Sequence, residues 1–160
     1  MNIEEIFQKV KSAFPEINSR IIVYGKRSFM SSSPLTGNIY YNQKDIEQKR
    51  FSIEALKGAL AHELAHQIAY KKIGLVGRLF FKLRYRLSKK YKRESEIIAD
   101  EVAVKRGFGK NLIQLTTEYQ KKFGRRRFDE RIKPFHLTVY EIRAMMQKKA
   151  KPVRLTQTLL

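Results

Sequence analysis

The apolar positions near the start of the chain recur at helical spacing. Ile3, Ile6, Phe7, Val10 and Phe14 form one stripe, which predicts a helix over about Ile3 to Phe14. Asn2 with Glu5 three residues on has the form of a capping box, and Pro15 stops the helix. The period then changes. Arg20-Ile21-Ile22-Val23-Tyr24 is a β-branched run ending at Gly25 and reads as a strand, as does Gly37-Asn38-Ile39-Tyr40-Tyr41-Asn42. The intervening Ser31-Ser32-Ser33-Pro34 reads as a loop.

Helical spacing returns after Ser52, a good N-cap, and predicts a long helix over about Ile53 to Lys72. Gly74 and Gly77 interrupt the pattern. Further helices are expected at about Tyr91 to Arg106, closed by Gly107, and at Leu112 to Phe123, with Asn111 as N-cap and Gly124 beyond the end. Thr138 and Glu141 form a capping box for a last helix from Val139 to about Lys149, with Leu137 and Ile142 as its hydrophobic staple. Residues from about 149 to 160 show no period and read as a mobile tail. The expected fold class is α+β: one mainly helical domain spanning 1–160, with a small sheet before the long helix.

The long helix carries His62-Glu63-Leu64-Ala65-His66. Positions i and i+4 share one helical face, so both imidazoles can grip one metal ion while Glu63 holds a water beside it. A catalytic zinc site of this kind takes a third protein ligand and leaves one position for water. The chain has no cysteine, so that ligand must be His or a carboxylate. Glu96 and Asp100, again i and i+4 on a predicted helix, face one side together. One can bind the ion while the other holds the outer nitrogen of a ligand imidazole. Glu94 and Glu101 point elsewhere around that helix.

At such a site the ion activates water, Glu63 takes its proton, and a peptide carbonyl is attacked. His136, Tyr140 and Tyr40 are candidate donors to the resulting oxyanion by residue type. His136 also has an ordinary reading as a structural residue beside a helix cap. Tyr40 and Tyr41 alternate across a strand, so one of them belongs to the core.

H-E-x-x-H followed some thirty residues later by Glu96-Ile97-Ile98-Ala99-Asp100 resembles the gluzincin metallopeptidases. Within them it is most similar to the soluble archaeal minigluzincins and to the catalytic core of the HtpX and CAAX prenyl protease family. The strand at Gly37 to Asn42 is similar to that family's edge strand, and the likeness covers roughly Gly37 to Arg106. The resemblance implies Zn2+ as cofactor and His62, His66 and Glu96 as its ligands. It further implies Glu63 as general base and acid and Asp100 as the partner of His62. Ile39, Tyr40 and Tyr41 would then pair with a peptide or protein substrate as an added strand. Minigluzincins resemble zymogens, and the region after Gly124 is the counterpart that could fill the cleft.

Charge enlarges the picture. The formal net charge is +19. Lys71 to Arg93 holds ten Lys or Arg and no acid, interleaved with Ile73, Leu75, Val76, Leu79, Phe80, Phe81, Leu83, Tyr85 and Leu87. That segment can be an insertion packing its apolar face on the core, a cationic helix lying on an anionic membrane, or a contact for nucleic-acid phosphates. The alternative to a peptidase is therefore a membrane- or nucleic-acid-binding protein with a structural or vestigial metal site. No apolar run spans a bilayer, and Met1 to Glu5 lacks a signal-peptide layout, so a cytoplasmic protein, peripheral to a membrane at most, is expected.

Overall fold

In the computed structural model of the chain the described residues are 2–24 and 29–150. The expected tail, beyond residue 150, lies outside them. The fold is α+β and mainly helical, with a small three-stranded sheet. Helix α1 (Ile3–Lys11) leads to strands β1 (Ile21–Val23), β2 (Met30–Ser32) and β3 (Ile39–Tyr41). Helices α2 (Gln43–Lys49), α3 (Ile53–Lys72), α4 (Leu75–Leu87), α5 (Lys89–Lys105), α6 (Gly109–Phe123), α7 (Arg125–Arg131) and α8 (Val139–Ala150) follow. No described helix is long and apolar enough to cross a membrane.

Helix α3 is the axis of the fold. It packs against α1, α5, α6 and β2. Its sequence suits burial on nearly every side: Ala55, Leu56, Gly58, Ala59, Leu60, Ala61, Leu64 and Ala65 are all buried. Small residues let neighbouring helices come close, while Leu60 and Leu64 join Ile6, Phe7, Val10 and Phe14 of the N-terminal region in the core. The start of α3 is fixed by Ser52, whose hydroxyl accepts from Ala55 N at 3.1 Å. That hydroxyl also donates to Glu118 of α6, which accepts from Ser52 N as well, at 3.0 Å. One carboxylate thus ties the N-cap of α3 to α6.

The sheet departs from expectation. Its order is β1-β3-β2, with β3 parallel to β1 and antiparallel to β2. The Ile39-Tyr40-Tyr41 strand is therefore central, and the edge-strand assignment is corrected: both its backbone sides are already paired. Ser31 and Ser32, expected in a loop, are strand residues opposite Tyr40 and Ile39. Pairing with a strongly β-prone neighbour overrides the weak strand preference of serine.

Other boundaries shift for local reasons. Helices α2 and α7 had no counterpart in the periodicity, being one to two turns long and without a buried residue. α6 begins at Gly109, before the expected Asn111 cap. The Asn111 side chain is instead engaged with Glu54, donating to its carbonyl at 3.2 Å. Gly77 does not break α4, which runs continuously but buries only Phe81. The packed-insertion reading of the basic segment thus fails for most of its apolar residues. At the last helix the capping box forms, with Glu141 N donating to Thr138 Oγ1 at 3.2 Å and Thr138 N donating to Glu141 Oε2 at 2.7 Å. Leu137 and Ile142 are both buried in the core.

Gly58 allows α6 to cross α3 at backbone contact. A Cβ there would overlap the Asn111 carbonyl oxygen and lie 2.6 Å from the carbonyl carbon. Gly58→Ala is expected to lower stability by about 1–3 kcal/mol, measured by denaturant unfolding, although alanine is the better helix former.

Candidate metal centre

One turn of α3 separates His62 from His66, and their rings meet edge to face with centroids 4.7 Å apart. Their Nε2 atoms lie 3.1 Å from each other. Glu96 of α5 completes the group: its Oε2 is 2.9 Å from His62 Nε2 and 3.4 Å from His66 Nε2. All three residues are buried, at 7, 5 and 4 % exposure. Donors bound at about 2.0–2.1 Å to one tetrahedral ion sit roughly 3.3 Å apart, so this spacing fits a zinc-sized cation without rearrangement of the helices. The donor set, two imidazoles and a carboxylate, suits zinc chemically.

Asp100 holds the outer side of His62. Its Oδ1 lies 2.8 Å from His62 Nδ1, while its Oδ2 accepts from Leu137 N at 2.9 Å. The same oxygen is 3.3 Å from His136 Nδ1. His62, Asp100 and His136 form a second group of ligand-type atoms, but both Asp100 oxygens are already engaged there. Glu96 is arranged the other way. Its Oε1 accepts from the Tyr85 hydroxyl of α4, leaving Oε2 turned to the two histidines. The first group is therefore the candidate metal centre and Asp100 its supporting carboxylate.

Burial alone would lower the pKa of His62, but the Asp100 and Glu96 carboxylates outweigh it and hold the ring well above the ordinary imidazole value. Burial would raise Glu96, and hydrogen bonding to His62 and His66 instead holds it far below the usual carboxylate range. Asp100 follows the same logic: burial opposes its ionisation, and the charge of His62 outweighs that. Burial pushes the phenols of Tyr70 and Tyr85 upward, with Glu96 adding to both.

The site opens into a cavity of about 560 Å³. Glu63, half-buried, lines it beside His62 and His66, and the stretch from Phe29 to Ser32 forms one rim. The segment after Gly124 forms another wall through Arg127, Arg131, Ile132 and His136. His136 reaches the centre, its Nε2 lying 3.5 Å from Glu96 Oε2. Tyr140 does not. It is 81 % exposed, on the side of α8 away from buried Ile142, and its candidacy as an oxyanion donor is withdrawn. Tyr40 is also elsewhere, bonded to Thr36 at 3.1 Å, and Ile39 and Tyr41 are core residues. β2, not β3, is the strand at the cavity.

Two residues of the site were not singled out from the sequence. Tyr70 stacks on His66 with nearly parallel rings, centroids 5.9 Å apart. Tyr85 enters from the basic segment, seated by Phe81, which packs against Tyr70, Tyr85 and Tyr91. The i, i+4 spacing of Phe81 and Tyr85, opposite the leucine positions of α4, was the available signal.

No protein-family model matches the chain, and comparison with curated proteins and with solved structures also gives no match.

The raised pKa of His62 has a definite consequence. Its carboxylate contacts stabilise the metal-free fold fully below the ordinary imidazole pKa and are lost as pH rises through the raised folded value. A metal needs the deprotonated ring and competes with that proton. Zinc affinity measured by chelator competition is expected to weaken by about tenfold per pH unit below the His62 value. A flat profile between pH 6 and 8 would contradict this role for His62.

Proposed function

We propose that the chain is a zinc-dependent metalloendopeptidase of gluzincin type. The observation that carries the reading is the convergence of His62 Nε2, His66 Nε2 and Glu96 Oε2 in one buried group, with Glu63 in the adjoining cavity. When bound, the ion supplies Lewis acidity, lowering the pKa of a coordinated water to about 7 and polarising a substrate carbonyl.

The chain's own residues supply the rest. Glu63 takes a proton from the attacking water and returns it to the leaving amine. Asp100 fixes the tautomer and orientation of His62 by holding Nδ1, so that Nε2 faces the centre. His136, whose Nε2 lies 3.5 Å from Glu96 Oε2, would donate to a developing oxyanion, while Tyr85 gives its hydroxyl proton to Glu96 and holds that carboxylate in place. A substrate in extended form can add to β2, whose outer side pairs with no described strand and whose residues rim the cavity. The C-terminal wall supports a role for that segment in controlling access, as expected of a latent enzyme.

Glu63→Gln keeps the shape of the side chain and removes its basicity. It is expected to reduce peptide cleavage at least about a thousandfold while one zinc per chain is retained, read by metal analysis and a quenched-peptide assay. Cleavage by the purified variant at the native rate would reject the assignment.

A further inference from the structure

Helix α4 shows two unlike faces. Inward, Phe81 is buried and Tyr85 donates to Glu96. Outward, Leu75, Val76, Leu79, Phe80, Leu83 and Leu87 are between 53 and 77 % exposed. At 100° per residue these six occupy an arc of about 140° on one side of the helix. Lys82 borders the arc on one flank and Arg84 on the other, and Arg86 lies just inside the Lys82 edge, between Leu75 and Leu79; all three are exposed. Exposed lysines continue beyond both ends of the helix, at Lys71, Lys72, Lys89 and Lys90.

We infer that α4 is a docking helix for an anionic phospholipid surface. An apolar ridge with cationic borders matches a helix lying in the plane of a bilayer interface: the ridge enters the acyl boundary and the long basic side chains reach up to phosphate. Other occupants match less well. Nucleic acid would set its phosphates against the aliphatic ridge rather than the charges. A second copy would bring like-charged borders together, in a chain of net charge +19. The docking stands apart from the peptidase reading. Its consequence for the substrate rests on that reading: Lys82, Tyr85 and Arg86 line the cavity, so a docked α4 brings the cavity to the lipid surface and to membrane-proximal polypeptide segments.

The chain has no tryptophan, so Phe80→Trp places a lone reporter on the ridge. With full-length protein and phosphatidylcholine vesicles containing roughly 30 mol % phosphatidylserine, its emission is expected to shift to the blue and to be quenched by brominated acyl chains. Pure phosphatidylcholine is expected to bind at least about tenfold more weakly, and so is the double variant Leu79→Glu, Leu83→Glu on the anionic vesicles. That variant should keep its zinc and its thermal melt, since both side chains are exposed. Glu63→Gln protein should dock like the native chain even with cleavage abolished, which separates this test from that of the catalytic reading.

An unshifted reporter on anionic vesicles would overturn the inference. So would a double variant that binds them undiminished, which would mean charge alone. A lipid-free dimer that the double variant dissolves would assign the ridge to a second copy. A blue shift obtained with an oligonucleotide but not with vesicles would assign it to nucleic acid.

Discussion

Helix α5 buries two carboxylates, and the fold is arranged so that neither lacks a partner. Glu96 and Asp100 lie one turn apart on the packed face of that helix, at 4 and 3 % exposure. A carboxylate in such a place is costly unless charge-paired and hydrogen-bonded. His62 answers both, taking Glu96 at Nε2 and Asp100 at Nδ1. The remaining Asp100 oxygen secures the backbone at Leu137, just before α8. α3, α5 and the entry to α8 are thus locked by one side-chain group. The same constraint that satisfies the buried charge also fixes the direction of His62 Nε2, and from that the candidate metal centre follows. Removing one partner from such a group strands the others, at a cost of about 3–5 kcal/mol, so stability and the site depend on the same residues.

The surroundings extend this arrangement outward. Tyr70 stacks on His66, Phe81 packs on Tyr70, and Tyr85 reaches Glu96. These contacts, together with Arg78 donating to the Tyr70 and Ile73 carbonyls, seat α4 beside the centre and leave the leucine ridge in solvent. A helix with this division connects the cavity to whatever surface meets the ridge. On the opposite rim, β2 presents an unpaired strand side among the described residues. The cavity therefore lies between a charged amphipathic helix and a strand edge.

What could be read from the residues was local and periodic. Ser52 opens α3 and Lys72 ends it as expected, because a cap and a long apolar run are signals carried within a few residues. The pairing of His62 with His66, and of Glu96 with Asp100, followed from helical spacing alone. What escaped depended on contacts distant in sequence. Ser31 and Ser32 become strand only because β3 lies alongside. Ile39 to Tyr41 carry the pattern of a strand but nothing that states which strands flank it. Asn111 looks like a cap until Glu54 engages it. Tyr85 sat in a segment dominated by charge, where its inward face was masked by the leucines opposite. Tyr140 had the right side chain on the wrong face of α8.

The central claim is that His62, His66 and Glu96 hold a single divalent ion. Diffraction from zinc-loaded crystals, collected on both sides of the zinc absorption edge, tests it most directly. The account predicts one anomalous peak per chain, equidistant at about 2.0–2.2 Å from His62 Nε2, His66 Nε2 and a Glu96 oxygen. A folded, zinc-saturated chain whose anomalous peak lies away from these three atoms, or that shows no peak, would contradict it.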